Sequence, residues 1–289
     1  LRAIHSLETK QTEENRVTYL QTKDGVDLYY KDWGTGRPIV LIHGWPLNAD
    51  MWDYQADKLV DQGFRVISYD RRGFGRSSQP GTGFDYDTLS DDLAALMEHL
   101  ELENAVLVGF SMGGGEVARY MSRHGGKRVG KAVLVSAVTP YLLKDDTNPD
   151  GVDKSVFDGF ISDLEKDRPG FLTGFGKQFY GVGPLTFSVS SDYLAWTQGL
   201  ALQASLRSSI ACVRAFGTTD FRADMTAFTV PTLVIHGTKD ATVPFEVSGE
   251  KAAKMIPGAH LKVYEGAPHG LHYTEQEKLT SDLADFARV

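Results

Sequence analysis

The chain has 289 residues, 42% of them hydrophobic and 24% charged, with a formal net charge of −8. That length suits one large domain, or a core domain with an insertion, and hides roughly three quarters of the surface the unfolded chain exposes. The acidic balance has no compensating basic patch, which argues against nucleic-acid or membrane partners, and no apolar run approaches a membrane span.

Residues 1–16, LRAIHSLETKQTEENR, read as a polar tail without the apolar core of a signal peptide. A cytoplasmic location is expected, with export after removal of a leader as the alternative. The lone Cys212 excludes a disulfide within the chain, which suits a reducing compartment.

VTYLQT (17–22) and VDLYYKDW (26–33) flank Asp24-Gly25 and predict a hairpin. PIVLIHG (38–44) is a continuous apolar run, as in a strand buried on both faces. Helical spacing follows over about 49–62, then a strand at FRVISYD (64–70). DTLSDDLAALMEHL (87–100) places Leu89, Leu93, Leu96, Met97 and Leu100 on one helical face. AVLVGF (105–110) predicts a buried strand, 112–124 a helix and KAVLVSAV (131–138) another strand.

Such alternation implies βαβ units and a mostly parallel sheet. The rhythm breaks after 138, where the chain becomes rich in aromatics and its periodic pieces look helical. TLVIHG (232–237) and HLKVYEG (260–266) restore buried strands, and a last helix covers about 274–288. The expected organisation is an α/β core, 17–137 and 226–289, with a helical cap inserted at 138–225.

Between strand and helix lies GFSMGGGE (109–116). Gly109-Phe110-Ser111-Met112-Gly113 matches Gly-x-Ser-x-Gly, the nucleophile elbow. Residues two before and two after the serine must lack bulk, so that strand and helix can approach. The strained turn holds the Ser111 hydroxyl above the sheet and sets the Met112 N–H at a helix N-terminus, beside a developing oxyanion. A phosphate loop is a poor competitor, because neither the Gly-Lys-Ser/Thr ending nor Gly-x-Gly-x-x-Gly occurs here.

A serine hydroxyl needs a base, and the base an orienting acid, in the chain order Ser, Asp/Glu, His. Asp240 follows strand 232–237 at its carboxyl end, where sites form in open α/β sheets. His269, between Pro268 and Gly270, follows the last strand at the same edge. His272 is its rival, whereas His236 reads as a packed core residue and His260 opens a strand at the wrong end. Asp220 and Asp224 are the alternatives to Asp240. The second oxyanion donor is expected from His43-Gly44-Trp45-Pro46: Pro46 has no N–H, so Trp45 N–H is the natural choice, with His43 as support. YDRRGFGRSS (69–78) reads as a structural loop in which Asp70 pairs with the arginines.

These segments, with IVLIHGWPLNADMW, VISYDRRGFGRSSQP, LVGFSMGGGEVARY, VPTLVIHGTKDATVP and EGAPHGLHYT, resemble the α/β-hydrolase superfamily. Within it they resemble the cofactor-free haloperoxidase, arylesterase and perhydrolase group. The resemblance implies an eight-stranded sheet with a helical cap, no metal or prosthetic group, and a triad on Ser111, Asp240 and His269. It places the oxyanion donors on Trp45 and Met112. It also implies hydrolysis of small aryl or short-chain acyl esters through an acyl-enzyme, with perhydrolase or haloperoxidase side activity. Segments similar to epoxide hydrolases and haloalkane dehalogenases occur, but those families use Asp where this chain has Ser111.

A γ-lactamase or carbon–carbon bond hydrolase with the same triad is the alternative, and a non-catalytic receptor on this fold is a further one. The expected partner is a small-molecule ester, with self-association left open. Phe157, Phe160, Phe175 and Trp196 are the candidates to line an apolar acyl pocket in the cap.

Overall fold

The apolar runs pair into one eight-stranded sheet in a computed structural model, which describes residues 18–183, 186 and 188–289. The polar tail expected at 1–16 lies outside the described residues. The strands are β1 (Tyr19–Gln21), β2 (Asp27–Gly34), β3 (Pro38–Ile42), β4 (Arg65–Tyr69), β5 (Ala105–Phe110), β6 (Val129–Val135), β7 (Thr232–Gly237) and β8 (His260–Tyr264), in the order β1-β2-β4-β3-β5-β6-β7-β8. β1 and β2 form the antiparallel hairpin, β2 is antiparallel to β4, and the later pairings are parallel.

Every residue of β5 and β7 is buried, as their unbroken apolar runs require of strands covered on both faces. β8 differs from the expectation of another buried strand. It is the sheet edge, so Leu261 and Val263 remain 38% and 40% exposed.

The core helices are α1 (Asp53–Asp61), α2 (Tyr86–His99), α3 (Met112–Arg123), α7 (Gly249–Met255) and α8 (Gln276–Arg288). The Asp85 carboxylate caps α2 by accepting the Thr88 N–H at 2.9 Å, which stabilises a helix end by about 1 kcal/mol. Leu89, Leu93, Leu96 and Met97 are buried on its apolar face. α7 was not legible as a helix, because seven residues are too few for a clear period. The last helix is divided: a single turn, Leu271–Thr274, precedes α8.

Between β6 and β7 the chain forms α4 (Lys154–Phe179), α5 (Ser191–Leu202) and α6 (Leu206–Thr218), the helical insertion. α4 breaks at Asp167, whose backbone is extended (φ −155°, ψ 80°) two residues before Pro169. The Asp167 carboxylate accepts the Gly170 N–H at 3.0 Å and so restarts the helix. α4 packs on both α5 and α6. Phe160, Phe171 and Phe175 of α4 meet Trp45 of the core, with Phe216 of α6 at the same ring. Trp45, Phe175 and Phe216 are buried, each worth roughly 1.5–3 kcal/mol of apolar transfer, with Phe160 and Phe171 partly buried beside them, so the insertion is anchored by a shared core. No described helix is long and apolar enough to cross a membrane.

Candidate active site

The carboxyl ends of β3, β5, β7 and β8 lie along one edge of the sheet, and the loops leaving them carry the candidate residues. At the end of β5 the chain turns sharply into α3. Ser111 sits in that turn with φ 53° and ψ −116°, a conformation that costs an ordinary residue about 1–3 kcal/mol. The glycines make the turn possible. A Cβ on Gly109 would lie 2.4 Å from the Gly113 carbonyl oxygen, and one on Gly113 would lie 2.6 Å from that of Ile42. Both distances are far inside van der Waals contact, so strand and helix approach only without side chains there. Met112 is the first residue of α3, which leaves its N–H among the donors that a helix cannot pair internally.

Asp240 lies in the loop after β7, and His269 in the loop after β8. The loops touch: Lys239 N–H donates to the Ala267 carbonyl at 3.1 Å, and a Cβ on Gly237 would lie 2.2 Å from the same oxygen. His269 is buried between the rings of Phe110 and Phe179, at 5.0 and 4.8 Å. Its Nδ1 lies 2.6 Å from Asp240 Oδ2 and its Nε2 lies 2.9 Å from Ser111 Oγ. The three side chains selected from the sequence therefore form one continuous hydrogen-bonded row.

The other carboxylate oxygen, Asp240 Oδ1, accepts the backbone N–H groups of Thr242 at 2.9 Å and Val243 at 2.7 Å. Burial acts to raise the Asp240 pKa, but the charges and hydrogen bonds of His269 and His236 outweigh it and hold the carboxyl below its usual range. Asp240 is thus ionised at neutral pH. A carboxylate at Nδ1 fixes that nitrogen as the donor and leaves Nε2 free to accept the Ser111 proton.

The loop after β3 lies directly against the serine. A Cβ on Gly44 would stand 2.6 Å from the Phe110 ring and 3.0 Å from the Ser111 Cβ. Trp45 follows, and its indole Nε1–H donates to the Ser209 carbonyl at 3.1 Å. His43 anchors this loop from below. Its Nε2 accepts the Arg71 backbone N–H at 3.0 Å, so the hydrogen is on Nδ1, which faces the Gly44 carbonyl at 3.0 Å. Arg71 Nη2 donates to the His43 carbonyl at 2.6 Å, and its Nε pairs with the fully buried Glu116 of α3. Burial and the Arg71 charge push the His43 pKa well below its usual value, which keeps the ring neutral.

The arginine-rich loop is structural, as expected, but its pairings are more distributed. Asp70 pairs with Arg76, whereas Arg71 takes Glu116 and Arg72 takes Asp92 and Asp24. The rivals for the triad stand elsewhere. Asp224 pairs with Arg119, Asp220 with Arg222, and His260 begins β8. His272 is buried on the single turn beyond His269, with Nε2 3.5 Å from the Tyr180 hydroxyl. Burial and the charge of His269 push its pKa down to about 3. His236 is buried as expected, but it is more than packing: its Nε2 lies 3.3 Å from Asp240 Oδ2.

Ser111 opens onto an apolar cavity of about 270 Å³. Trp45, Phe157, Phe160 and Phe175 line it, as does Phe216, which sequence reasoning did not single out. The walls also include Leu142, Val152, Gln178 and the Ala241–Pro244 turn, residues that only tertiary folding brings there. Trp196 does not line it: the side chain is 37% exposed on α5 and packs on Tyr193. Among the described residues no group of three or more His, Cys, Asp or Glu is placed to hold a metal ion.

Residues 37–276 match the family described as alpha/beta hydrolase fold. A non-heme chloroperoxidase of Streptomyces lividans is 46% identical over 272 residues, covering 92% of this chain and 98% of that one. A bifunctional esterase/perhydrolase of Acinetobacter calcoaceticus is 43% identical over 275 residues, covering 93% and 99%. The crystal structure of a bromoperoxidase from Bacillus anthracis superposes with a TM-score of 0.89 at 47% identity, covering 92% and 97%. On its fold, and on relatives this similar over nearly their whole length, the chain belongs to the α/β-hydrolase superfamily, in its haloperoxidase, esterase and perhydrolase-like family.

Proposed function

We propose that the protein hydrolyses small carboxylic esters through an acyl-enzyme on Ser111. The observation that carries this reading is the row Asp240–His269–Ser111, joined at 2.6 and 2.9 Å and buried beside an apolar cavity. His269 Nε2 takes the Ser111 proton as Oγ attacks the ester carbonyl. The N–H groups of Trp45 and Met112 receive the oxyanion, each such donor being worth roughly 2.7–4 kcal/mol in the transition state. His269 then gives its proton to the departing alcohol. Water attacks the acyl carbonyl by the same route, releasing the acid and restoring the Ser111 hydroxyl. Asp240 remains ionised throughout, orienting the imidazole and stabilising the imidazolium.

Hydrogen peroxide in place of water would give a peracid and the same free enzyme, a reaction that the name of the Acinetobacter relative supports. The cavity, about 270 Å³, falls just below the roughly 300–1,000 Å³ of pockets for drug-sized ligands, which favours a small or aryl acyl group. We assign its selection to the segment 138–225, whose aromatics close the cavity over the core. Ser111→Ala should lower turnover of p-nitrophenyl acetate by about 10⁴-fold or more, and substantial residual turnover refutes the reading. Rates should also fall for acyl chains beyond eight carbons.

A further inference from the structure

His236 is fully buried at the carboxyl end of β7, four residues before Asp240. Its Nε2 lies 2.9 Å from the Val243 carbonyl oxygen and 3.3 Å from Asp240 Oδ2. Both neighbours accept hydrogen bonds, so Nε2 must carry the ring hydrogen. On the other side, Nδ1 is buried without a partner among the described residues, and a Cβ on Gly249 of α7 would lie 2.5 Å from it. A hydrogen on Nδ1 would find no acceptor there. Phe245 packs on the ring at 5.8 Å. Asp240 is the ionisable group facing the imidazole, with His269 beyond it on the same carboxylate; α7 and the Phe245–Val247 turn present Gly249 and Phe245, neither of which titrates.

We infer that His236 is a positioning residue for the triad, its Nε2–H filling the fourth donor place around the Asp240 carboxylate. Two backbone N–H groups hold Oδ1, and His269 Nδ1–H binds Oδ2 at 2.6 Å. The His236 N–H supplies the remaining donor while also tying the 240–243 turn to β7 through the Val243 carbonyl. A shared hydrogen of this kind is a three-centre bond. Its effect is twofold: it fixes the direction in which the carboxylate grips His269, and it tempers the basicity of that carboxylate. Without it, Asp240 would hold a proton on His269 more firmly and orient the ring less well. The inference rests on the triad reading above.

Two substitutions test it. His236→Gln keeps an N–H donor near the Nε2 position, and His236→Met fills similar space without a donor. His236→Met should lower kcat by about 10- to 100-fold, the range for a hydrogen bond to a charged group, with KM within about twofold. The midpoint of the acid limb of kcat/KM should move to higher pH by about half a unit or more. His236→Gln should recover most of both. In the wild-type protein, long-range ¹H–¹⁵N spectra should place the His236 hydrogen on Nε2, a readout that depends on neither turnover nor the folding of a variant. Wild-type kcat and acid limb in His236→Met would overturn the inference. So would a loss of kcat with an unmoved acid limb in both variants, the mark of a merely structural residue, or a hydrogen on Nδ1. Failure of the triad reading shows separately, as turnover surviving in Ser111→Ala.

Discussion

Asp240→Asn keeps the size of a side chain and reverses the hydrogen-bonding sense of one of its atoms. Oδ1 accepts two backbone N–H groups, at 2.9 and 2.7 Å, and only an oxygen can serve there. The asparagine must therefore point its NH₂ toward His269 Nδ1, where the carboxylate oxygen stood at 2.6 Å. Two donors cannot face each other, so the imidazole hydrogen moves to Nε2 and points at Ser111 Oγ, 2.9 Å away. A ring in that tautomer cannot accept the serine proton. The expected loss is about 10⁴-fold in kcat, or about 5.5 kcal/mol, with KM nearly unchanged. Steady-state release of p-nitrophenolate, measured on protein whose thermal unfolding shows an intact fold, provides the assay. A folded Asp240→Asn variant with kcat within about tenfold of the wild type would refute the argument that the acid sets the tautomer.

Gly44→Ala adds a Cβ at 2.6 Å from the Phe110 ring and 3.0 Å from the Ser111 Cβ, which displaces the loop that carries Trp45; on the oxyanion-donor role proposed for the Trp45 N–H, kcat for an aryl ester should fall about 100-fold, and an unaffected kcat contradicts that role. Phe175 lines both the cavity at Ser111 and a second apolar cavity of about 230 Å³ between α4 and α5. Phe175→Ala should join the two and move the acyl-chain optimum upward in a nitrophenyl ester series, whereas an unmoved optimum shows that this ring is no partition. The His272 pKa is pushed from 6.5 down to about 3, so between those values the unfolded chain binds a proton that the folded chain refuses. Stability should therefore fall by about 1.4 kcal/mol per unit as pH drops through that window, and His272→Gln should remove one such slope from chemical denaturation. An unchanged slope contradicts the assignment.

The geometry of the candidate site was legible because its positions carry local signatures. The elbow needs glycines around Ser111 for steric reasons visible in five residues, and the strand ends that place Asp240 and His269 are unbroken apolar runs. Long-range partners left no such trace. Arg71 finds Glu116, 45 residues away, and nothing in YDRRGFGRSS says that one arginine will leave Asp70 for a helix of the core. His236 looked like core because its strand is apolar throughout. Its polar role arises only when the 240–243 turn folds back on β7. Trp196 was expected in the pocket from aromatic density alone, and density carries no information about which face of a helix points inward. β8 reads as buried from composition, yet edge position is a property of the whole sheet.

The most direct measurement is mass spectrometry of the wild-type protein after reaction with an aryl fluorophosphonate, which forms a stable adduct with an activated serine. The account predicts a single phosphonyl group, mapped to the peptide containing Ser111 and missing from Ser111→Ala. An unmodified protein, or an adduct on any other residue, would contradict it.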